Sequence, residues 1–331
     1  MSGPVRTVTL NPAIDQTVAL DTLRPGQVHR ALAVRHDPGG KGVNVASCLA
    51  DWGVPTIVTG LLGADNAAPF EALFAAKAIE DRFVRVPGDT RTNIKLLETS
   101  PGGTTTDINL PSPFADAAAL AEVRRRLDDV APDDLVVLSG SLADSLPDDT
   151  YRRLIGDLRA IGARVVLDAS GAPLAEALTA AEDALPFCIK PNRHELETWA
   201  GRGLEDPVAL LAAARALHGM GIALVTVSLG AQGALFVSGE GALHVAPPVL
   251  EAGSAVGAGD AMVAGLTAAV RAGASLEAVA RLSTAFATGK LRHPGAHLPD
   301  GETVLALAAL AAITPAQDWA RRTTGPRQTA H

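Results

Sequence analysis

Asp260 stands alone as a carboxylate in SAVGAGDAMVAGLTAAV, residues 254–270, a run otherwise apolar and small. Gly257 and Gly259 precede it, and glycines let a ligand approach a backbone closely. A helix beginning at Ala258 would leave N–H groups in need of partners. Two readings of Asp260 follow: an acid that compensates the helix dipole, or a catalytic base beside an anion-binding turn.

Other stretches carry comparable chemistry. DPGGKGVNVA, residues 37–46, sets Gly39, Gly40 and Lys41 ahead of a helix that also carries Asn44. This is either a glycine turn with a solvated lysine or an anion site at a helix start. The spacing is not that of a P-loop, and no G-x-G-x-x-G follows the first strand. Asp15 follows the first strand, as a turn residue or as an acceptor for two sugar hydroxyls. Arg91, Asn93 and Lys95 alternate along TRTNIK and so share one strand face, suited to an anion or to solvent. Ser141 lies in SGSL. Lys190, Asn192 and Glu195 lie in IKPNRHE; Asn192 and Glu195 have the spacing of a capping box and could equally order the waters of a Mg²⁺ ion. Ser228, Gly230 and Gly233 lie in VSLGAQG.

The chain that must position these groups has 331 residues, 47% of them hydrophobic but only 3% aromatic. Ala, Leu and Val must therefore fill the core. The formal net charge of −8 argues against nonspecific binding to nucleic acid or an anionic membrane. An anionic substrate would have to be captured by local groups, and lysine is rare: Lys41, Lys77, Lys95, Lys190 and Lys290 are the five present. Two cysteines, Cys48 and Cys188, suit a reduced setting rather than a disulfide framework. The first residues contain no apolar signal region, and no uncharged run is long enough to cross a membrane. A cytoplasmic enzyme is the expectation.

Hydrophobic patterning predicts strands at 5–10 and 56–62 and helices at 42–52 and 67–76. From residue 115 helices and strands alternate: helices 115–130, 148–161, 173–183 and 206–218 precede strands 135–140, 163–170, 187–190 and 223–228. That rhythm predicts an α/β fold with a mostly parallel sheet covered on both faces. Strands 234–237 and 242–245 and helices 258–272, 275–288 and 302–312 follow. Two polar strand pairs, about 17–36 and 91–109, fall outside the alternation and predict a small separate sheet, either a lid or an oligomer contact. Residues 1–313 read as one domain, and 314–331 as a polar, mobile tail. In such a sheet ligands bind beyond the C-terminal strand ends, where the motifs above converge.

GGKGVNVA and VGAGDAMVAG resemble the N- and C-terminal signatures of the PfkB (ribokinase-like) carbohydrate kinases. Together with TLNPAID, TRTNIK, SGSL, IKPNRHE and VSLGAQG, they are similar to the branch containing 1-phosphofructokinase and tagatose-6-phosphate kinase. The resemblance spans about residues 5–295 in collinear order. It implies a ribokinase-like fold with a β-sheet lid that often pairs two subunits, and ATP with Mg²⁺ as cofactors. The implied activity is phosphorylation of a phosphorylated ketohexose, fructose 1-phosphate first, with tagatose 6-phosphate and fructose 6-phosphate as rivals; the remaining alternatives are a kinase of an unphosphorylated sugar or nucleoside and a catalytically inactive sugar-phosphate-binding regulator.

The implied roles follow position by position. Asp260 is the base, and Gly257, Ala258 and Gly259 form the anion hole with it. Asp15 and Asn44 hold the sugar with help from Gly40, and Gly39, Asn93 and Ser141 also belong to the substrate site. Lys41 and Arg91 bind its phosphate, and Arg30 reaches a neighbouring subunit's site. Lys190, Asn192, Glu195, Ser228, Gly230 and Gly233 serve ATP, with Glu195 acting on Mg²⁺ through water. This chain departs from its relatives at Ala143-Asp144-Ser145, where Pro-Pro-Gly is usual, at Ala255 and Ala261, and in GKLRHPGAHLP.

Overall fold

The computed structural model describes residues 3–100, 102–112, 115–248, 256–291, 295 and 297–324. The chain begins with β1 (Val5–Thr9), β2 (Ala13–Leu20), β3 (Ala33–Gly39), α1 (Lys41–Asp51), β4 (Thr56–Gly63) and α2 (Ala68–Ala76). Two short strands, β5 (Glu80–Asp81) and β6 (Val84–Val86), precede the hairpin β7 (Thr92–Glu98) and β8 (Thr105–Asn109). The alternating half runs α3 (Ala117–Arg125), β9 (Leu135–Ser139), α4 (Thr150–Ile161), β10 (Arg164–Asp168), α5 (Gly171–Ala177), β11 (Cys188–Ile189), α6 (Arg193–Ala200), α7 (Pro207–Gly219) and β12 (Leu224–Ser228). It closes with β13 (Ala234–Ser238), β14 (Gly241–Ala246), α8 (Ala258–Arg271), α9 (Leu276–Lys290), α10 (Gly301–Leu310), β15 (Ala312–Pro315) and α11 (Ala316–Thr324).

The large sheet has the order β15-β14-β13-β12-β11-β10-β9-β1-β4-β5, with β6 also on β4. It is parallel from β12 to β5 and antiparallel from β12 to β15. Its central strands are near-continuous apolar runs because both faces are covered. Strand alternation divides them: Val136 and Leu138 pack among residues from α4 and α7, whereas Leu135 and Val137 pack among residues from α1, α8 and α9. The expected α/β fold with a mostly parallel, two-sided sheet is the observed one. Helices 115–130 and 173–183 prove shorter than patterning predicted, β5 and β6 went unpredicted, and the capping box expected at Asn192 starts α6. β5 and β6 are held by parallel pairing with β4, a tertiary contact that two or three residues cannot announce.

The small sheet has the order β3-β2-β7-β8. β2 runs parallel to β7, with Asp15 opposite Asn93 and Thr17 opposite Lys95. The two polar strand pairs therefore join into one sheet. Its boundaries differ from patterning: β2 begins at Ala13, so Asp15 lies within a strand, and 28–32 is not strand, leaving Val28 98% exposed.

The tail expectation is corrected for residues 314–324. Ile313 pairs with Val245 on the sheet edge, and α11 buries Ala316 and Ala320. The Trp319 ring stacks on His244 at 4.3 Å between centroids. An open strand edge attracts another strand, and Ala316, Trp319 and Ala320 have the i, i+3, i+4 spacing of one helix face. Residues 325–331 lie outside those described. Trp319→Ala is expected to cost about 1–3 kcal/mol in urea denaturation; no change in midpoint would mean that this segment contributes nothing to stability.

Candidate active site at the start of helix α8

Parallel pairing carries β1, β9, β10, β11 and β12 to one edge, and the residues that follow them meet there. Asp168 ends β10 and Lys190 follows β11, its neighbour. α1 presents Lys41 and Asn44 to the same edge, and α8 begins there. α8 is buried from Asp260 through Val270, which fixes its first turn against the sheet.

Gly257 caps α8 in the left-handed region, at φ +79°, where other residues are strained. Among the described residues no side chain caps that turn. Asp260 is 8% exposed and accepts a 2.7 Å hydrogen bond from Asn44 Nδ2 on its Oδ2. Burial, aided by the charge of Asp168, raises its pKa to about 6, against the pull of Asn44, Lys41 and Lys190. Lys190 Nζ lies 3.6 Å from where a side chain on Gly259 would begin.

Asp168, 1% exposed, joins two cations: its carboxylate lies 3.4 Å from Lys41 Nζ and 3.3 Å from Lys190 Nζ. Burial alone would raise this carboxyl, but the two lysines hold it below its ordinary value. Burial likewise opposes the charge on Lys41, and Asp168, Asp260 and Glu195 outweigh that cost. Sequence reasoning missed Asp168. Its signal was an acid closing the apolar run RVVLD at a parallel strand's C-terminal end. Lys290 was missed as well; it ends α9, buried, against Gly257.

A second group forms where the small sheet meets β1. Asn93 Nδ2 donates to Asp15 Oδ1 at 3.2 Å, Lys95 Nζ stands 3.9 Å from the same oxygen, and burial raises the Asp15 pKa. Arg91 donates to Asn93 Oδ1 at 3.1 Å and to the Asn11 carbonyl at 3.5 Å. Asn11 donates in turn to Ser141 Oγ at 3.0 Å. A side chain on Gly39 would begin 3.1 Å from Asp15 Oδ2, and one on Gly40, at φ +111°, 2.9 Å from Pro12 Cα. Lys41 and Arg91, expected as one clamp, have different partners: Lys41 faces Asp168, and Arg91 faces Asn93 and Asn11. Arg30 is exposed on the connection between β2 and β3.

A third group lies beyond β11 and β12. Asn192 and Glu195 form a reciprocal capping box for α6, with bonds of 2.9 and 2.8 Å. Asn192 bridges to Ser228, and Gly230 and Gly233 follow with positive φ. Glu195 is still close enough for its charge to act on Lys41.

The buried acid has a thermodynamic signature. A carboxyl raised from 3.8 to about 6 costs the folded state nothing below pH 4. The cost grows as pH rises from 4 to 6, to at most about 3 kcal/mol at 1.36 kcal/mol per pH unit. Asp260→Asn, which keeps an acceptor for Asn44, is expected to be more stable than the wild-type protein at pH 8 by about 1–3 kcal/mol, with the gain vanishing near pH 4. Equal denaturation midpoints at both pH values would contradict the burial of an ionised Asp260.

The chain is similar to known kinases over nearly its full length. The 1-phosphofructokinase of Xanthomonas campestris pv. campestris is 52% identical over 95% of this chain and all of its own length. That of Rhodobacter capsulatus is 44% identical over 93% of this chain and 96% of its own. The structure of phosphofructokinase-2 from Escherichia coli in complex with fructose-6-phosphate superposes with a TM-score of 0.85 at 26% identity, covering 93% of this chain and 98% of that one. Residues 8–302 match the family described as pfkB family carbohydrate kinase, and the chain belongs to that family.

Proposed function

We propose that this protein is a 1-phosphofructokinase, transferring the γ-phosphoryl group of ATP to the C6 hydroxyl of fructose 1-phosphate. The products are ADP and fructose 1,6-bisphosphate. The observation that carries the chemistry is the buried Asp260 carboxylate in the first turn of α8, with Asn44 on one oxygen and Lys190 beside Gly259. Asp260 takes the proton of the acceptor hydroxyl as its oxygen attacks phosphorus, and the bond to the β-phosphate oxygen breaks. The N–H groups of Ala258, Gly259 and Asp260, Gly257 as their pivot, and Lys190 receive the charge on the moving group. Phosphoryl transfer asks for this kind of positioning and charge stabilisation rather than a covalent intermediate.

The remaining groups divide by location. Asp15, Asn44, Gly39 and Gly40 hold the sugar. Arg91, with Asn93 and Ser141 near it, binds the phosphate that the substrate already carries. Lys41, tied to Asp168, serves the transferred group rather than sharing Arg91's task. Asn192, Ser228, Gly230 and Gly233 lie on the nucleotide side.

Among the described residues no three His, Cys, Asp or Glu side chains could cage a metal ion. That donor set fits Mg²⁺ arriving on ATP, since this ion keeps its waters and takes one or two carboxylates plus phosphates. Glu195 would reach it through water, and it would neutralise phosphate charge.

The small sheet would act as a lid over the sugar and pair two subunits. Val28, Leu32, Val34 and Ile108 are apolar and exposed on that sheet and its connection, and Arg30 would reach the neighbouring subunit from there. Among the described residues no helix is long and apolar enough to cross a membrane.

A coupled ADP-release assay across fructose 1-phosphate, fructose 6-phosphate, tagatose 6-phosphate and fructose tests the substrate. The highest kcat/KM is expected with fructose 1-phosphate; a preference for another member of the panel overturns this reading. Asp260→Asn is expected to lose at least about 10²-fold in kcat while still binding ATP and the sugar phosphate. In the wild-type enzyme kcat/KM should fall as pH drops through about 6, where the base becomes protonated.

A further inference from the structure

We propose that His244 and Trp319 are positioning residues for the nucleotide: α11, acting through the imidazole, holds the turn from Gly230 to Gly233 in the conformation that accepts ATP. The inference rests on the reading of that turn as the nucleotide side of the site.

The turn joins β12 to β13 and is exposed at Gly230, Ala231 and Gln232. Its internal bonds are three. Leu229 N–H donates to the Gly233 carbonyl at 2.8 Å, Gly233 N–H to the Gly230 carbonyl at 3.0 Å, and Gln232 N–H to the Leu229 carbonyl at 3.2 Å. A side chain on Gly233 would collide with the Val245 carbonyl oxygen, so the turn lies directly on β14. An exposed turn that carries two glycines at positive φ opens readily unless other elements tie it down.

Two elements do. Arg193 Nη2 donates to Gln232 Oε1 at 2.8 Å and links the turn to the first residue of α6, beside Asn192. His244 Nε2 lies 2.8 Å from the Gln232 carbonyl oxygen. A carbonyl only accepts, so Nε2 carries the proton and donates. His244 is 6% exposed on β14, paired with Leu235 on one side and Thr314 on the other. Burial holds its pKa below the ordinary value, against the pull of the Gln232 bond, so the ring is neutral near neutral pH. The Trp319 ring lies 4° from parallel to the imidazole and fixes its plane. α11 seats Trp319 through buried Ala316 and Ala320. A ring needed only for packing would be served by phenylalanine. Histidine adds one directed bond, and its acceptor is the main chain of the turn. Ser228, just before the turn, bridges to Asn192, so what steadies Gln232 steadies both segments of the nucleotide side.

The test measures KM for ATP and for fructose 1-phosphate, each with the other saturating, in wild type, His244→Phe, Trp319→Phe and Trp319→Ala, below every thermal midpoint. His244→Phe keeps a ring for Trp319 and removes the donor. It is expected to raise KM for ATP about three- to tenfold, the size of one lost hydrogen bond. Its kcat and its KM for fructose 1-phosphate should stay within about twofold of wild type. Trp319→Ala should show the same split, whereas Trp319→Phe, which keeps a stacked ring, should stay within about twofold on ATP. Combining His244→Phe with Trp319→Ala should raise KM for ATP no more than about twofold beyond the larger single effect, because both act through one carbonyl. A KM for ATP within about twofold of wild type in His244→Phe overturns the proposal. So does an equal rise for both substrates, the mark of a general loss of structure. A rise confined to fructose 1-phosphate overturns it together with the nucleotide reading of the turn. Calorimetric titration with ADP needs no turnover and separates the two claims: unchanged ADP affinity in His244→Phe sinks the positioning role, and absence of wild-type turnover sinks the kinase reading.

Discussion

The structure depends on keeping one buried carboxylate ionised between two lysines. Asp168 is almost wholly removed from water and has Lys41 and Lys190 at 3.3 to 3.4 Å. An isolated buried charge is prohibitive, and a buried pair survives only when geometry and further hydrogen bonds compensate. The compensation comes from three elements at once. Asp168 ends β10, Lys190 follows β11, and Lys41 opens α1. Parallel pairing of β10 with β11 sets the first two side by side, and packing of α1 on the sheet brings the third.

That cluster sets the character of Asp260 nearby. The negative charge of Asp168 adds to burial in raising the Asp260 pKa, while the two lysines oppose it. One acid therefore stays well ionised as a counter-ion, and the other is poised near the range in which a base is effective. The same environment divides two carboxylates into two roles. The cost appears as stability forgone above pH 4.

Motif residues explain most of the site that was legible in the sequence. Asp260, Asn44, Lys190 and Lys41 were recognisable as groups and do converge. Strand alternation placed Arg91, Asn93 and Lys95 on one face, and the hydrogen bond from Arg91 to Asn93 and the shared neighbour Asp15 agree with it. The capping box of Asn192 and Glu195 was readable from spacing, since both of its bonds are local. Asp168 and Lys290 were missed because their meaning lies in partners on other elements, one of them 127 residues away, for the first and across a helix packing for the second. The division of Lys41 from Arg91 was likewise invisible: both are basic, and only position assigns each to a different partner.

The sequence by itself determined the fold class, the parallel alternation, the two-sided core and the residues that could do chemistry, because these depend on periodicity and local backbone preference. Tertiary structure decided which of those residues meet. It set the strand order and the parallel β2–β7 register of the small sheet expected from the two polar strand pairs, and it turned residues 314–324 of a polar tail into part of an edge strand and a packed helix. It placed Lys41 of α1, Lys190 just after β11 and Lys290 of α9 around one helix start. Contacts between distant segments depend on pairing register and side-chain packing, and neither is written in any short stretch of the chain.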